Sequence, residues 1–332
     1  MLNEFREDLV SGEWVLFATG RTRRPELTKL TYRVKTLSKN KCPFEDPEKY
    51  DNTVVATYNN KEQTDWFVKV VKNKYSAVLE GVASPLKSAG PFRTQEATGR
   101  HEVVIFKEHD KFLDDFSKEE LAETFKIYRD RYLSMLDHGS SKYILIFHNH
   151  GLRAGASMVH PHSQIMSIPV LPPDVRRSIN GSEKFYSENK KRIYDVMIEW
   201  EKSEKKRIIY ENKYFIAFCP FVSKTPYEVR IFPRESHAHF EKMPEEQFIY
   251  LGEVMQLIFK KIQVALKDPD YNFFIHTAPL ENTVTDVHEF YTWHVEIIPK
   301  ISTIGAFELG SGVEVNIVDP DETARLLRET EI

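Results

Sequence analysis

The chain has 332 residues, of which 41% are hydrophobic and 29% are charged, so it is long enough for two domains with their own cores. Its net charge of −4 argues against nucleic acid as the main partner, and two cysteines are too few for a disulfide framework. No apolar run approaches the roughly 20 residues of a membrane span, and the N-terminal residues lack the apolar core of a signal peptide. We therefore expect a cytoplasmic protein without a membrane partner.

The first half alternates short apolar strands with loops. The pattern predicts strands at residues 13–18, 66–71, 73–78, 101–106 and 143–147. Apolar residues between Leu121 and Met135 recur at helical spacing and predict an amphipathic helix. The loop after residue 20 contains Arg21 and Arg24, whose guanidinium groups suit phosphate oxygens, with solvated surface charge as the alternative.

The stretch from Asn149 to Gln164 has a composition poorly suited to core packing. Pro161 favours an extended chain, in which alternate residues share a face, so His160, His162 and Gln164 should line one face. Two imidazoles can bind one metal ion, relay a proton, or divide ligation and nucleophilic attack between them, and a glutamine amide can donate to a phosphate oxygen. The preceding glycines let backbone N–H groups approach an anion. The combination favours chemistry over a strand end with a buried, hydrogen-bonded histidine.

Charged residues dominate positions 178–207, which predicts a helical connector, and the second half then repeats the first. The matching stretches are 73–75 with 212–214, 102–106 with 228–232, 143–148 with 271–276, and the helix near 121–135 with one near 245–266. His294 falls on His162, while Thr292 and Glu296 replace His160 and Gln164. We therefore expect an internal duplication whose first half is catalytic. The predicted fold class is α+β, with two related halves, each a mainly antiparallel sheet with one long helix.

The sequence resembles the galactose-1-phosphate uridylyltransferases, a family within the histidine-triad (HIT) superfamily, over nearly its whole length. The residues that carry the resemblance are Arg21 to Pro25, Cys42-Pro43-Phe44, Asn73, His109, Asn149 to Gln164, His276 to Pro279, Trp293-His294 and Gly305 to Glu308. The His-Pro-His-x-Gln element is highly specific, whereas the others are individually weak but occur in the right order. The resemblance implies a HIT-like fold with a catalytic N-terminal domain at 1–178 and a second HIT-like domain at 179–332.

The resemblance also implies a double displacement with a nucleotide sugar and a sugar 1-phosphate as partners. His162 would attack the α-phosphate and carry the nucleotidyl group as a reactive phosphoramidate. Gln164 would hold the phosphate oxygens, with Ser157 and Asn149 nearby.

Further positions match the family's substrate contacts. The positions that would serve the nucleotide and its phosphates are Arg21, Arg24 and Asn73. Phe307 and Glu308 match a stretch that in the family meets the hexose hydroxyls and belongs to the partner subunit. A homodimer is therefore implied.

His160 matches a structural zinc ligand of the family, with Cys42 and His109 as companions. Glu45 stands where the family usually has a second cysteine. A carboxylate can bind zinc, but it is a harder ligand than a thiolate. We expect zinc at the four positions Cys42, Glu45, His109 and His160.

Some relatives also carry iron in the second half, held by a carboxylate and three histidines. His276 and His294 are present, but Glu296 replaces the third histidine and a convincing fourth ligand is missing. We therefore expect this iron site to be absent, with the two histidines serving as core or hydrogen-bonded residues.

Uridylyl exchange between UDP-glucose and galactose 1-phosphate is the function that the resemblance favours. The rivals in the same superfamily are ADP-glucose phosphorylase and a diadenosine polyphosphate phosphorylase. Ser163 in place of the usual glycine, Ser302 in place of a lysine, and residues 304–312 favour the ADP-glucose phosphorylase type. A binding protein without turnover is a different class of hypothesis, which the intact His-Pro-His-x-Gln element argues against. Nucleotide hydrolysis is a further alternative, which we expect to be slow.

Overall fold

The structure is a computed structural model that describes residues 2–20, 38–81, 85–136, 141–280, 284 and 286–332. The strands of these residues are β1 (Asn3–Glu7), β2 (Trp14–Ala18), β3 (Val54–Asn59), β4 (Trp66–Lys72), β5 (Lys87–Ala89), β6 (Phe92–Thr94), β7 (His101–Phe106), β8 (Tyr143–His150), β9 (His162–Ile168), β10 (Ile208–Glu211), β11 (Phe215–Phe218), β12 (Val229–Pro233), β13 (Tyr271–His276), β14 (His294–Pro299) and β15 (Glu314–Asn316). The α-helices are α1 (Lys118–Leu136), α2 (Pro173–Asn189), α3 (Ile193–Glu204), α4 (Phe248–Leu266), α5 (Ala306–Ser311) and α6 (Pro320–Glu329).

One large antiparallel sheet runs through both halves. Its strand order is β10-β11-β12-β14-β13-β8-β9-β7-β4-β3. The five strands contributed by each half occur in the same relative order, and the two sets meet where β8 pairs with β13. The predicted α+β class with two related halves is therefore confirmed.

The two predicted long helices, α1 and α4, pack against each other on one face of this sheet. At the start of α1, Ser117 Oγ accepts a hydrogen bond from the N–H of Glu120, and the Glu120 carboxylate accepts one from the N–H of Ser117. This capping box satisfies two backbone donors that a helix start leaves without partners. The buried apolar side chains of both helices and of the central strands form one core across the two halves.

The opposite face differs between the halves. In the second half, α2 and α3 lie over it, and Ile179 and Tyr194 pack in the same apolar cluster as Phe218 and Phe232. The charged connector predicted at residues 178–207 thus consists of parts of two helices. In the first half, this face carries His162 and Gln164. The two halves therefore share a scaffold but present different surfaces on it.

Two of the predicted correspondences between the halves, 102–106 with 228–232 and 143–148 with 271–276, are wrong by one residue. Gln164 pairs with Phe147 and Val103 in the first half. Glu296, which corresponds to Gln164, pairs with Phe274 and Arg230 in the second half, so Phe274 corresponds to Phe147 and Arg230 to Val103. A shift of one residue moves a side chain to the other face of a sheet. His276, which pairs with His294, therefore corresponds to Asn149 and not to His148.

Residues 73–78, predicted as a strand, form a turn instead. Asn73 Oδ1 accepts a hydrogen bond from the N–H of Tyr75 at 2.9 Å, the local contact by which asparagine stabilises turns. The predicted match of Asn73 with Asn212 also fails, because Asn73 follows β4 whereas Asn212 lies between β10 and β11.

The ends of the chain meet in a small separate sheet, in which β2 pairs with β1 and, in parallel, with β15. The predicted division at residue 178 falls inside α2, and its position stays a prediction. Among the described residues, no helix combines the length and apolar character that a membrane crossing requires.

Gly252 lies where the two long helices are in close backbone contact. A Cβ atom there would be 2.1 Å from the carbonyl oxygen of Lys118 and 2.9 Å from the backbone nitrogen of Ala122. We expect Gly252→Ala to lower the free energy of unfolding by about 1–3 kcal/mol, because the clash outweighs alanine's better helix propensity. Urea unfolding followed by circular dichroism measures this. Gly310→Ala is the control, since a Cβ there meets no described atom within 4 Å. Equal stability of Gly252→Ala and the unsubstituted protein would contradict the close contact.

Candidate active site

His162 is the first residue of β9 and lies at the centre of the site, with only 6% of its surface exposed. Its Nδ1 lies 2.9 Å from the backbone oxygen of His160. A carbonyl oxygen can only accept, so Nδ1 carries the proton and Nε2 keeps its lone pair. Burial lowers the pKa of His162, although the bond to the His160 carbonyl opposes the shift. A neutral imidazole with a free Nε2 is the form that a nucleophile requires.

Gln164 lies on the same face as His162 and is oriented by a histidine that the sequence analysis did not single out. His101 Nε2 donates to Gln164 Oε1 at 2.8 Å. Burial lowers the pKa of His101, which keeps the ring neutral, while this hydrogen bond opposes the shift. Because the Gln164 oxygen is occupied, its NH₂ group is the end left to donate. Asn73 lies beside this pair, with its Nδ2 3.2 Å from His101 Nε2.

The glycine-containing loop before the histidines is held by residues of the second half. Asp270 Oδ2 accepts a hydrogen bond from the N–H of Arg153 at 2.7 Å. Gly151 adopts φ +82°, and a Cβ atom there would be 2.1 Å from the Asp270 carboxylate. Both the positive φ and the lack of space for a side chain therefore favour glycine at this position. The loop is thereby fixed beside β8.

Asn149 is oriented in the same way. Asn272 Nδ2 donates to Asn149 Oδ1 at 2.7 Å and to the carbonyl of Ala154 at 2.8 Å. The Asn149 oxygen is therefore occupied, and its NH₂ group is the end left to donate. Asn149 and Gln164 thus each present an amide donor whose direction a neighbouring side chain fixes.

The four predicted metal ligands lie together behind His162. His160 Nδ1 is 3.6 Å from Cys42 Sγ, 3.1 Å from His109 Nδ1 and 3.5 Å from Glu45 Oε1. His160 Nε2 donates to the Phe106 carbonyl at 2.6 Å, so the Nδ1 lone pair faces this group. Tetrahedral zinc places neighbouring nitrogen and sulfur ligands about 3.3–3.6 Å apart, and a ligating histidine usually donates its other N–H to a carbonyl or carboxylate. The ligand atoms of Cys42, His109 and His160 lie within 4.8 Å of one another, so these three residues fit a metal ion. Glu45 lies beside them, with its Oε1 2.7 Å from His109 Nδ1.

The other predicted residues have different positions. Arg21 and Arg24 lie outside the described residues. Ser157 is exposed at the end of the loop that follows β8. Phe307 and Glu308 lie on the exposed helix α5, where the Glu308 carboxylate caps the N–H of Gly305, and none of their described contacts reaches His162.

A second group of candidate metal ligands lies in the other half. His276, His294 and Glu296, where no iron site was expected, have ligand atoms within 4.8 Å of one another. His276 Nε2 donates to Glu296 Oε2 at 3.0 Å, so the expected hydrogen-bonding role is present as well.

Sequence reasoning missed His101, Asp270 and Asn272 as residues that orient the site. Of these, only His101 could have been noticed in the sequence, because it is a histidine at the start of a predicted apolar strand.

Ser163, noted above because it replaces a glycine, has a fully buried hydroxyl. This hydroxyl lies 2.6 Å from Tyr128 OH and 2.9 Å from His148 Nδ1. This side chain therefore ties β9 to α1 and β8 on the face opposite His162.

Comparison with known proteins identifies the family. The family model described as "Galactose-1-phosphate uridyl transferase, N-terminal domain" matches residues 2–172, more than half of the chain. The chain belongs to this family. The model "HIT domain" matches residues 201–302, in the second half.

Members of the galactose-1-phosphate uridylyltransferase family and its close relatives match over the full length. ADP-glucose phosphorylase of Arabidopsis thaliana is 31% identical over 334 residues, covering 99% of this chain and 93% of the relative. Galactose-1-phosphate uridylyltransferase of Thermotoga maritima is 29% identical over 343 residues, covering 99% of each. The crystal structure of an ADP-glucose phosphorylase from Arabidopsis thaliana with bound ADP-glucose is 28% identical, with a TM-score of 0.84 over 100% of both chains. The chain is thus an enzyme of this nucleotidyltransferase and phosphorylase family.

The contact between His101 and Gln164 gives a testable expectation. His101→Ala should lower kcat/KM for a nucleotide sugar about tenfold, because a hydrogen bond worth about 1–1.5 kcal/mol no longer orients the Gln164 amide. His101→Gln should restore part of the loss, since its amide can donate to the same oxygen. His288→Ala removes an exposed histidine and serves as the control. Steady-state kinetics measures all three, and a His101→Ala variant with unchanged kcat/KM would rule out this orienting role.

Proposed function

We propose that the chain transfers a nucleotidyl group by double displacement through His162, with ADP-glucose as donor and inorganic phosphate as acceptor. His162 Nε2 attacks the α-phosphorus, the bond from that phosphorus to the bridging oxygen breaks, and glucose 1-phosphate leaves. Phosphate then attacks the same phosphorus, the P–N bond breaks, and ADP leaves with a free His162. The observation that carries the proposal is the bond from His162 Nδ1 to the His160 carbonyl, which directs the proton away from Nε2.

The surrounding donors match the charge that this transfer moves. Each displacement passes through a crowded phosphorus centre whose oxygens carry negative charge, and preorganised donors stabilise it without reorganisation. The NH₂ groups of Gln164 and Asn149 are the available ends of fixed amides, as described above. Both are neutral, so they add hydrogen bonds without repelling the phosphates.

The adenylyl donor is favoured over the uridylyl donor by the relatives. The phosphorylase of Arabidopsis thaliana is 31% identical over nearly the whole chain, and a phosphorylase structure with bound ADP-glucose superposes with a TM-score of 0.84. Ser163, Ser302 and residues 304–312 point the same way. The Ser163 hydroxyl also hydrogen-bonds with Tyr128 and His148, contacts that a glycine at this position could not make.

Exchange between UDP-glucose and galactose 1-phosphate is the second candidate. It is supported by the match to the uridyl transferase family model and by the 29% identity to the enzyme of Thermotoga maritima over 99% of both chains. The first displacement would be the same, with a uridylyl group on His162. The acceptor would be a sugar 1-phosphate in place of phosphate.

We propose that the group formed by Cys42, Glu45, His109 and His160 holds zinc. The ion would serve as a structural crosslink between the loop around Cys42 and the residues before β9. His160, whose carbonyl accepts the hydrogen bond from His162 Nδ1–H, would then be held in place at its side chain. We further propose that Phe307 and Glu308 of the partner subunit complete the sugar site in a homodimer, which their exposure on α5 supports.

Mass spectrometry of the intact protein tests the proposed function. Incubation with ADP-glucose should give an adenylyl adduct that inorganic phosphate discharges as ADP, whereas UDP-glucose should give little adduct. His162→Ala should form none, and peptide mapping of the unsubstituted protein should place the adduct on His162 and not on His294. A uridylyl adduct discharged by galactose 1-phosphate would establish the second candidate. No adduct from either donor would rule out the nucleophilic role of His162.

Metal analysis tests the zinc proposal. The purified protein should contain about one zinc ion per chain, and Cys42→Ser should weaken its binding at least about tenfold, since removing a thiolate removes a direct ligand. Glu45→Cys should strengthen binding, because thiolate is the softer ligand. Chelator competition followed by elemental analysis measures both. Cys219→Ser is the matched control at the other buried cysteine, and a Cys42→Ser variant that retains zinc as tightly would contradict the assignment.

A further inference from the structure

The second half contains a buried ion-pair cluster at the place that corresponds to the site of the first half. By strand register, His294, Glu296 and His276 correspond to His162, Gln164 and Asn149. His294 even keeps the same backbone contact, since its Nδ1 donates to the carbonyl two residues earlier at 3.2 Å. This half has thus retained the geometry of the imidazole while changing the side chains around it.

The most consequential change is a charged pair. Arg230 pairs with Glu296 across β12 and β14, where the first half has Val103 opposite Gln164. Arg230 Nη2 lies 2.8 Å from Glu228 Oε1, and its Nε lies 3.5 Å from Glu296 Oε2. The side chains of these three residues are at most 10% exposed. The first half thus has the neutral amide of Gln164 beside an apolar residue, whereas the second half has the carboxylate of Glu296 beside a guanidinium.

The family implies iron near this place, and the residues of this chain do not fit it. The difference from the Cys42, His109 and His160 group is a fixed cation, because Arg230 lies against the carboxylate that would be a ligand. Glu296 Oε2 lies 3.0 Å from His276 Nε2 and 3.5 Å from Arg230 Nε, so a permanent cation already faces this oxygen. Arginine stays protonated at all accessible pH, and a divalent ion bound to Glu296 would share an oxygen with a permanent positive charge.

We infer that the guanidinium of Arg230 takes the place of a metal ion in the second half, which therefore binds no metal at His276, His294 and Glu296. The cluster ties β12, β14 and β13 together through side chains in the way that a bound cation would. It needs no metal supply to form.

The protonation behaviour of the cluster agrees with this assignment. Burial raises the pKa of Glu296, but the Arg230 guanidinium and the His276 hydrogen bond lower it by more, so the net pKa lies well below its usual range. Burial raises the pKa of Glu228 to about 7, against the opposing effect of Arg230. The Arg230 guanidinium therefore lies between two buried carboxylates, those of Glu228 and Glu296.

Metal counting on the full-length protein tests the inference. Elemental analysis after dialysis against Zn²⁺, and separately against Fe²⁺ without oxygen, should give at most one ion per chain. The count should fall in His160→Ala and stay unchanged in His276→Ala. Two ions per chain that drop to one in His276→Ala would overturn the inference.

Removal of the guanidinium gives an independent readout. Arg230→Met leaves Glu228 and Glu296 without their cation, so the variant should gain one equivalent of Zn²⁺ and show a melting temperature that rises with Zn²⁺. Arg234→Met, at the residue after β12, is the matched control, because its exposed guanidinium contacts Asn212 and Glu211 and not the cluster. A folded Arg230→Met variant that binds no additional Zn²⁺ would overturn the role of Arg230. If that variant does not fold, the counts for the unsubstituted protein and His276→Ala decide alone.

Discussion

The pairing of β8 with β13 is the constraint on which the rest of the structure depends. It joins two five-stranded halves into one sheet and sets Asn272 opposite Asn149 in register. Through that register, two side chains of the second half, Asp270 and Asn272, reach the loop and the amide of the first. The candidate site is therefore built by both halves, although the proposed nucleophile, His162, lies in the first.

Two backbone carbonyls divide the tasks of the paired histidines. The Phe106 carbonyl accepts a hydrogen bond from His160 Nε2–H and leaves its Nδ1 lone pair facing Cys42 and His109. The His160 carbonyl accepts a hydrogen bond from His162 Nδ1–H and leaves its Nε2 lone pair free. The two rings, one residue apart across Pro161, thus expose opposite nitrogens. Backbone carbonyls set this arrangement without a charged side chain, so it places no negative charge beside the phosphates of the proposed donor.

The local chemistry could be predicted from the sequence, but the register and the contacts between halves could not. The prediction that His160, His162 and Gln164 lie on the same face needs only their spacing in an extended chain, which is a local property of the sequence. The apolar runs of β7 and β8 place apolar side chains on both faces, so no alternation of polar and apolar residues marks their register. Two correspondences that rest on these runs were therefore wrong by one residue. No local pattern marks Asp270, because its contact is with a residue more than one hundred positions away in the chain.

The contact of Asp270 with Gly151 and Arg153 makes the two halves depend on each other. Asp270 is the residue immediately before β13, in the second half, and it holds the loop that leads to His162 in the first. A substitution at this position of one half therefore changes the backbone of the other. The halves are similar in topology, but neither is an independent module.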